Sequence, residues 1–214
     1  TGDAEGEVLT TNEVNVNLAS VEVALKAFTG PISQVPPMYS ALKHEGKNLY
    51  EYARAGIEIT REARNVTIYS LVLNSLNEHT IDMTVVCSKG TYIRTLAEDI
   101  GQVLGCGAHL KALRRHTSAH FSLDKALTIE QLEAMTLEQR DACLLAPDAA
   151  IENLPRVDID QDSAFYLMRG QEVWKSGLNL HTQFRIYNHL GIFLGLGEQT
   201  ADGKIAPRRL VSSK

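Results

Sequence analysis

The feature that most constrains the fold is a strand pattern that gives way to a helix pattern near residue 90. Residues 81–86 form an apolar, partly alternating run rich in β-branched side chains, which predicts a strand. Lys89-Gly90 interrupts that run, and apolar residues then recur at helical spacing from 96 to 104. Gly105 follows, where a helix C-cap glycine is expected. The pattern therefore predicts a junction at which a strand leads directly into an amphipathic helix.

Tyr92 and Arg94 fall at this strand-to-helix junction. Proteins often place ligand-facing side chains at such junctions. An aromatic face beside a guanidinium suits a stacked base together with a carboxylate or a phosphate. A structural role is the alternative, because a half-buried tyrosine and a solvated arginine are also frequent at helix starts. The spacing alone leaves both interpretations open.

Composition narrows the class of protein. The 214 residues are 44% hydrophobic and 22% charged, which is typical of a soluble globular protein. No apolar run is long enough to span a membrane, and no signal peptide is visible. The three cysteines follow no framework spacing, so we expect free thiols and a cytoplasmic location.

The charges are unevenly distributed along the chain. The net charge is −5, but residues 89–116 contain five basic and two acidic side chains, and residues 202–214 contain four and one. Residues 120–163 contain three basic and ten acidic side chains. Two basic segments on either side of an acidic one are compatible with RNA as a partner.

Before residue 140, the patterns predict short helices and a long hairpin. The expected elements are a helix over 14–27 that begins near Asn17 or Ser20, an extended proline-rich segment over 31–38, a short helix over 47–55, strands over 63–77 and 79–87, a strand over 116–121, and a helix over 128–135 capped by Thr128 and Gln131.

The residues after 155 have the pattern of a small β-barrel. Two prolines and several acidic residues over 147–155 predict a domain boundary there. Beyond it we expect a short helix over 163–169, ended by Gly170, and a meander of strands. The predicted strands cover 184–187, 191–196 and 204–210.

Four segments stand out in the following order: Pro36-Pro-Met-Tyr-Ser-Ala-Leu-Lys-His-Glu-Gly-Lys-Asn-Leu-Tyr-Glu-Tyr-Ala-Arg-Ala-Gly56; Lys89-Gly-Thr-Tyr-Ile-Arg-Thr95; Gly105-Cys-Gly-Ala-His-Leu-Lys-Ala-Leu-Arg-Arg115; and Phe193-Leu-Gly-Leu-Gly197 followed by Asp202-Gly-Lys-Ile-Ala-Pro-Arg-Arg-Leu210. Together they resemble the signature motifs of the TruB family of bacterial tRNA pseudouridine synthases, over nearly the whole chain. The resemblance implies an α+β fold with two domains. A catalytic body, a mixed sheet with helices, would occupy residues 1–150 and carry an RNA-gripping insertion near 31–60. A small C-terminal PUA β-barrel would occupy residues 155–214.

The resemblance also implies a reaction, the isomerisation of uridine to pseudouridine at position 55 in the T-loop of tRNA. The base is flipped out of the loop, its N-glycosidic bond is broken, and C5 is rejoined to the sugar. Tyr92 matches a tyrosine that contacts the flipped base, and Arg94 matches an arginine that pairs with the catalytic aspartate. Leu113 matches an apolar residue that closes over the base. Neither a cofactor nor a metal is implied.

The implied partner is tRNA, bound through its T-arm and its acceptor end by a monomer that has no contact with a membrane. Phosphate-binding basic residues with an aromatic neighbour suit such a surface. The matching residues are Tyr39, Lys43, Lys47 and Arg54 in the insertion, and Arg208 and Arg209 in the PUA barrel.

One part of the family pattern does not occur in these residues. The family's catalytic aspartate lies in a Gly-x-Leu-Asp-Pro type motif upstream of the segment that Thr1 matches, and this sequence contains no such motif. We therefore expect an incomplete catalytic body, cut from a longer protein, which lacks its nucleophile and is inactive in isolation. Asp82 and Asp99 are not expected to replace the nucleophile, because we place them on a strand and on a solvated helix face.

Other residue groups suggest weaker alternatives. Cys106, His109, His116 and His120 could be read as a metal site, but their spacing matches no common zinc pattern. Trp174 is expected in the core of the small domain rather than on an RNA-binding surface.

Two alternative functions remain open. One is that of the related synthase of archaeal and eukaryotic guide-RNA particles, which lacks the insertion. The other is a non-catalytic tRNA-binding or RNA-folding module, in which Arg94 has a structural role only.

Overall fold

A computed structural model describes residues 1–178 and 182–211 of the chain. The fold consists of two compact units, Thr1–Arg114 and Arg115–Lys214. Both contain helices and antiparallel strands, so the predicted α+β class is confirmed. Within the described residues, no helix has the length and apolar character needed to cross a membrane.

A three-stranded antiparallel sheet covered by two helices forms the first unit. Its elements are α1 (Leu18–Ala27), β1 (Gly30–Gln34), β2 (Lys43–His44), β3 (Lys47–Asn48), α2 (Leu49–Arg54), β4 (Arg64–Asn77), β5 (Thr80–Cys87) and α3 (Ile93–Leu104). The sheet order is β1-β4-β5, and the long β4–β5 hairpin confirms the two strands predicted there. The buried core consists of Val21, Ala24, Leu25, Ile68, Leu96 and Ile100.

Local signals explain where the two longer helices begin and end. Asn17 caps α1, because its side chain accepts a hydrogen bond from the Ser20 N–H (3.0 Å) while the Ser20 hydroxyl accepts one from the Asn17 N–H (3.1 Å). Gly105 ends α3 with a φ of 80°, as predicted for a C-cap glycine. At Gly101 a Cβ atom would lie 2.3 Å from the Ala108 nitrogen, so α3 needs glycine there for close packing.

The helix predicted over 47–55 begins later in the structure than the sequence indicated. Residues 43–48 form a small hairpin, β2–β3, whose turn residues Glu45 and Gly46 have φ values of 48° and 84°. The predicted helix over 47–55 is therefore confined to α2, Leu49–Arg54. The Glu51 carboxylate fixes the start of α2 by accepting from the Asn48 N–H (3.1 Å).

The second unit contains a five-stranded sheet and several short helices. Its elements are β6 (Thr117–Ser118), β7 (Phe121–Ser122), a 3₁₀ turn (Leu123–Lys125), α4 (Ile129–Ala134), α5 (Leu137–Ala142), a 3₁₀ helix (Pro147–Ile151), β8 (Arg156–Asp158), α6 (Gln161–Leu167), β9 (Val173–Trp174), β10 (Phe184–Tyr187), β11 (Phe193–Gln199) and β12 (Lys204–Leu210). The sheet order is β8-β10-β11-β12-β9, with only β8 and β10 parallel among these described strands. The predicted meander and the Thr128–Gln131 capping box are confirmed.

Two expectations for this unit were wrong. The single strand predicted over 116–121 is instead a short hairpin of β6 and β7, because Ala119 adopts a φ of 53° and turns the chain. Trp174 is 67% exposed rather than part of the core, since it lies on the edge strand β9 beside Lys204. Its indole ring instead makes a cation–π contact, with the Lys204 ammonium 5.3 Å from the ring centroid.

Candidate functional site

The junction between β5 and α3 places Tyr92 at the N-cap of the helix. Tyr92 has an extended backbone (φ −97°, ψ 108°), and its carbonyl accepts a hydrogen bond from the Leu96 N–H (3.0 Å). Its own N–H donates to Oε1 of Gln34 (3.1 Å), and Nε2 of Gln34 donates to the Tyr92 carbonyl (3.4 Å). The predicted strand-to-helix position of Tyr92 is thus confirmed.

Arg94 lies in the first turn of α3 and bonds to two main-chain carbonyls. One guanidinium nitrogen donates to the Tyr39 carbonyl (2.9 Å) and the other to the Thr1 carbonyl (3.2 Å). Within the part of the chain that the structure describes, Arg94 forms no ion pair. Arg94 therefore joins the start of α3 to the segment that contains Tyr39, which brings two of the sequence-predicted site residues together.

The basic residues of the insertion are exposed. Lys43 and Lys47 lie on the two strands of the β2–β3 hairpin, and Arg54 ends α2, with its guanidinium 5.2 Å from the centroid of the Tyr50 ring. The side chain and backbone of Asn48 hydrogen-bond to Glu51 and lower the pKa of that carboxyl, and the positive charges of Lys47 and Arg54 add to the effect. The result is an exposed surface that presents cations around one ionised carboxylate.

Tyr39 and Leu113 are partly or largely open to solvent. Tyr39 is 37% exposed although its carbonyl is bound by Arg94. Leu113 is 62% exposed. Three residues before it, Leu110 pairs with Asp3 in an isolated parallel bridge. Both side chains can reach a bound molecule, but their roles stay predictions.

The two arginines of the second unit differ in their partners. On β12, Arg208 forms an ion pair with Glu198 of β11, with 2.6 Å between Nε and Oε2. Arg209 is exposed and forms no ion pair with any residue in the described ranges 1–178 and 182–211. Of these two residues, Arg209 therefore has the more available positive charge.

Asp82 and Asp99, the two aspartates weighed as replacements for the nucleophile, form no hydrogen bond with Tyr92 or Arg94 among the described residues. Asp82 is exposed on β5 and accepts a hydrogen bond from the Asn74 side chain (2.8 Å). Asp99 is half-buried on α3, contrary to the expected solvated face, and desolvation raises the pKa of its carboxyl. Neither forms an ion pair with Arg94.

Cys106, His109, His116 and His120, the weaker metal-site alternative, are not found as a metal-binding group. Among residues 1–178 and 182–211 there is no group of three or more His, Cys, Asp or Glu side chains that could hold a metal ion.

Gln34 is the site residue that the sequence prediction missed. It is 2% exposed at the end of β1, with the same strand parity as the inward-facing Ile32. A polar residue at an inward-facing strand position was the available signal, because a buried amide requires hydrogen-bond partners. The partner, 58 residues further along the chain, could not be inferred from local spacing.

Solved structures share the fold of this chain. Similar solved structures include those described as "Crystal Structure of a Cbf5-Nop10-Gar1 Complex" (TM-score 0.69, 21% identity) and "Structure of H/ACA RNP bound to a substrate RNA containing 2'-deoxyuridine" (TM-score 0.69, 19% identity). The likeness covers 94% and 95% of this chain, and this chain spans 64% of the length of each matched chain.

Sequence comparison identifies the family. The model described as "TruB family pseudouridylate synthase (N terminal domain)" matches residues 1–93. The models described as "tRNA pseudouridylate synthase B C-terminal domain" and "Pseudouridine synthase II TruB, C-terminal" match 94–152 and 155–211. The chain belongs to the TruB family of pseudouridine synthases.

Several curated relatives are similar over the whole chain. The tRNA pseudouridine synthase B of Methylobacillus flagellatus is 60% identical over 211 residues, which is 99% of this chain and 70% of the relative. The protein of the same name from Aromatoleum aromaticum is 49% identical over 213 residues, which is 100% of this chain and 68% of the relative.

Proposed function

We propose that this chain forms part of a tRNA pseudouridine synthase that converts uridine to pseudouridine at position 55 of the T-loop. The observation that carries the proposal is the start of α3, where the Tyr92 N-cap and Arg94 adjoin the RNA-gripping insertion. The family match and the curated relatives support the same reaction. The alternative of a guide-RNA particle synthase is less well supported, because the Tyr39–Gly56 segment of the insertion is intact and the two relatives reported above are named tRNA pseudouridine synthase B.

In the proposed reaction the Tyr92 ring stacks on the flipped uracil, and Leu113 covers the base against water. The bond between N1 and C1′ breaks, the base turns, and C5 bonds to C1′. C5 then loses its proton while N1 gains one, so the product has the same atoms as the substrate. Arg94 orients the catalytic carboxylate and keeps it ionised.

We further propose that this carboxylate lies outside the 214 residues and that the chain alone does not turn over uridine. The hydrogen bonds of Arg94 to the carbonyls of Thr1 and Tyr39 support this, because the guanidinium has no carboxylate partner among the described residues. A non-catalytic RNA-binding function is the second candidate, since main-chain bonds of this kind also fit a structural Arg94.

Kinetics of an Arg94→Ala variant separate the two functions. In the full-length gene product we expect tritium release from 5-labelled uridine in a T-arm stem-loop to fall by about 10³-fold, with the RNA Kd changed less than about threefold. Arg140→Ala is the control, because Arg140 likewise donates to a main-chain carbonyl, that of Glu133 (2.9 Å), and lies in the second unit. An equal loss of affinity and rate would favour the binding module.

The 214-residue chain tests the location of the nucleophile. We expect no tritium release from it. Release would place the nucleophile within this chain and would make Asp82 and Asp99 the first residues to substitute.

We propose that the insertion grips the T-arm through Lys43, Lys47 and Arg54, with Tyr39 packing nearby. Each phosphate contact should add about one unit to the slope of log K against log salt concentration. Replacing Lys43 by alanine is expected to weaken binding to all T-arm sequences alike and to lower that slope by about one. An unchanged slope would rule out a phosphate contact by Lys43.

For the second unit we propose contact with the acceptor end of tRNA through Arg209, with Arg208 contributing where its pair with Glu198 opens. We also propose that the protein acts as a cytoplasmic monomer. The unpaired thiols of Cys87, Cys106 and Cys143 support the reducing compartment.

A further inference from the structure

Gln34 accepts the hydrogen bond from the N-cap N–H of α3. At α4 and α5 the acceptor of this bond is a residue of the helix itself. In a capping box, a side chain at the third helical position accepts a hydrogen bond from the N–H of the N-cap residue. Gln131 does this for α4 and Gln139 for α5. The third position of α3 is Thr95, whose hydroxyl is buried and makes no hydrogen bond within the described residues. The Tyr92 N–H is bound instead by the Gln34 amide from β1.

The Gln34 amide is itself held rigidly. Gln34 is 2% exposed and pairs with Arg64 in the β1–β4 register. Two prolines, Pro36 and Pro37, follow it and restrict the chain where it leaves the sheet. A side chain supported by a sheet can fix a neighbouring group more tightly than a loop residue can.

We propose that Gln34 is a positioning residue for Tyr92. Its amide forms two hydrogen bonds with the Tyr92 main chain: Nε2 donates to the carbonyl at 3.4 Å, and Oε1 accepts from the N–H at 3.1 Å. This fixes the backbone from which the Tyr92 ring faces the base, and it sets the first turn of α3 that carries Arg94. The proposal rests on the proposed function, because it assigns Gln34 to the same reaction.

Gln34 and Arg94 together connect two segments of the site. Gln34 binds residue 92 and Arg94 binds residue 39, so residues 34–39 and 92–94 are tied at both ends. Without the Gln34 amide, the Tyr92 backbone keeps only its helical bond to Leu96 among the residues that the structure describes. A displacement of about 1 Å at a positioned group can cost about 100-fold in rate.

The first arm of the test is structural and uses the 214-residue chain. Gln34→Met has nearly the same shape and removes both hydrogen bonds. We expect the Tyr92 amide resonance to move upfield and its hydrogen exchange to accelerate, while the amides at the centre of α3 stay unchanged. An unaltered Tyr92 amide would overturn the proposal. Thr95→Val is the matched control, because it removes a buried hydroxyl beside the site that makes no bond.

The second arm is kinetic and uses the full-length gene product. For Gln34→Met we expect kcat for uridine isomerisation to fall by about 10- to 100-fold, with KM changed less than about threefold. Ile68→Val destabilises the same core without touching Tyr92, and we expect its kcat to stay near that of the unaltered protein. Equal losses in these two variants, or a normal kcat in Gln34→Met, would overturn the proposal.

A third variant adds a signature that a merely structural role would not give. The carboxyl of Gln34→Glu, when protonated, can both donate and accept as the amide does. We expect its activity, relative to the unaltered protein, to recover as the pH falls. Relative activity that does not change with pH would contradict the role of these two hydrogen bonds.

The outcomes distinguish this proposal from the function on which it rests. If the unaltered full-length protein releases no tritium, the proposed function fails, and the Tyr92 amide still reports whether Gln34 grips that backbone. If the unaltered protein is active and Gln34→Met is equally active, only the positioning role of Gln34 fails.

Discussion

The two units both use buried polar side chains to join distant parts of the chain, but the chemistry of the two clusters differs. In the first unit the neutral Gln34 amide binds the main chain of Tyr92. In the second unit the Asp148 carboxylate accepts hydrogen bonds from the Arg185 guanidinium (3.0 Å) and from the Tyr187 hydroxyl. Gln34 is 2% exposed and Asp148 is 9% exposed, so the clusters are similarly buried and differ mainly in charge.

The charged cluster anchors the segment that precedes β8. Besides Asp148, the Arg185 guanidinium binds the carbonyls of Glu152 (3.2 Å) and Leu154 (3.1 Å). The 3₁₀ helix over 147–151 is therefore attached to β10 through the side chains of Arg185 and Tyr187. None of these residues is a predicted site residue. The charged cluster of Asp148 and Arg185 therefore stabilises the fold of the second unit, whereas the buried polar group next to Tyr92 and Arg94 is a neutral amide.

The largest effect should come from removing the buried charge. Asp148→Ala removes the carboxylate that pairs with the Arg185 guanidinium and accepts from the Tyr187 hydroxyl, and we expect the free energy of unfolding to fall by about 3–5 kcal/mol. Gln34→Met removes two neutral bonds and should cost about 1–3 kcal/mol. Urea unfolding followed by Trp174 fluorescence reports on the second unit, and circular dichroism follows the helices. Equal losses of unfolding free energy in Asp148→Ala and Gln34→Met would show that the charge of Asp148 does not make its cluster the stronger one.

The dependence of stability on acid pH should also distinguish the Asp148 cluster from Gln34. The hydrogen bond from Tyr187 holds the pKa of Asp148 below its ordinary value of 3.8, although desolvation opposes it, and Arg185 adds to the lowering. Desolvation, followed by the interaction with Asp148, raises the pKa of Tyr187, so the phenol remains a donor at neutral pH.

Because the folded-state pKa of Asp148 is depressed, its contribution is complete above the unfolded-state pKa and is lost as the pH falls through the folded-state pKa. The stability difference between the unaltered chain and Asp148→Ala should therefore be constant above about pH 5 and shrink below about pH 4. The matching difference for Gln34→Met should not change over this range, since the amide does not titrate. A difference for Asp148→Ala that persisted unchanged to pH 2 would contradict the assignment of the ionised carboxylate.

Local signals predicted most of the elements. The Asn17 cap, the β4–β5 hairpin, the Gly105 C-cap and the Thr128 capping box are all contained within short windows of sequence, and the structure has each of them. The failures were also local. Ala119 adopts a positive φ, which an alanine side chain does not favour, so the strand predicted over 116–121 is a hairpin instead.

The candidate site was predicted only in part, because it depends on contacts between distant segments. Tyr92 and Arg94 were found from a junction pattern, and the insertion residues were assigned by family resemblance. The bonds that join these residues span 58 positions for Gln34–Tyr92 and 55 for Arg94–Tyr39. Main-chain carbonyls are acceptors at every residue, so no sequence signal marks those of Tyr39 or Thr1 as partners of Arg94.

The smallest effect should come from the exposed edge of the charged cluster. The Arg156 guanidinium lies 4.0 Å from the centroid of the Tyr187 ring and forms an ion pair with Asp158 (2.6 Å). Both charged side chains are about half exposed, so solvent screens them, and Arg156→Ala should lower the free energy of unfolding by much less than Asp148→Ala does. Arg156→Lys keeps the charge but not the planar stacking, and its loss should fall between zero and that of Arg156→Ala in the same urea experiment. A loss as large as that of Asp148→Ala would mean that contact with Tyr187, rather than burial of the charge, gives this cluster its strength.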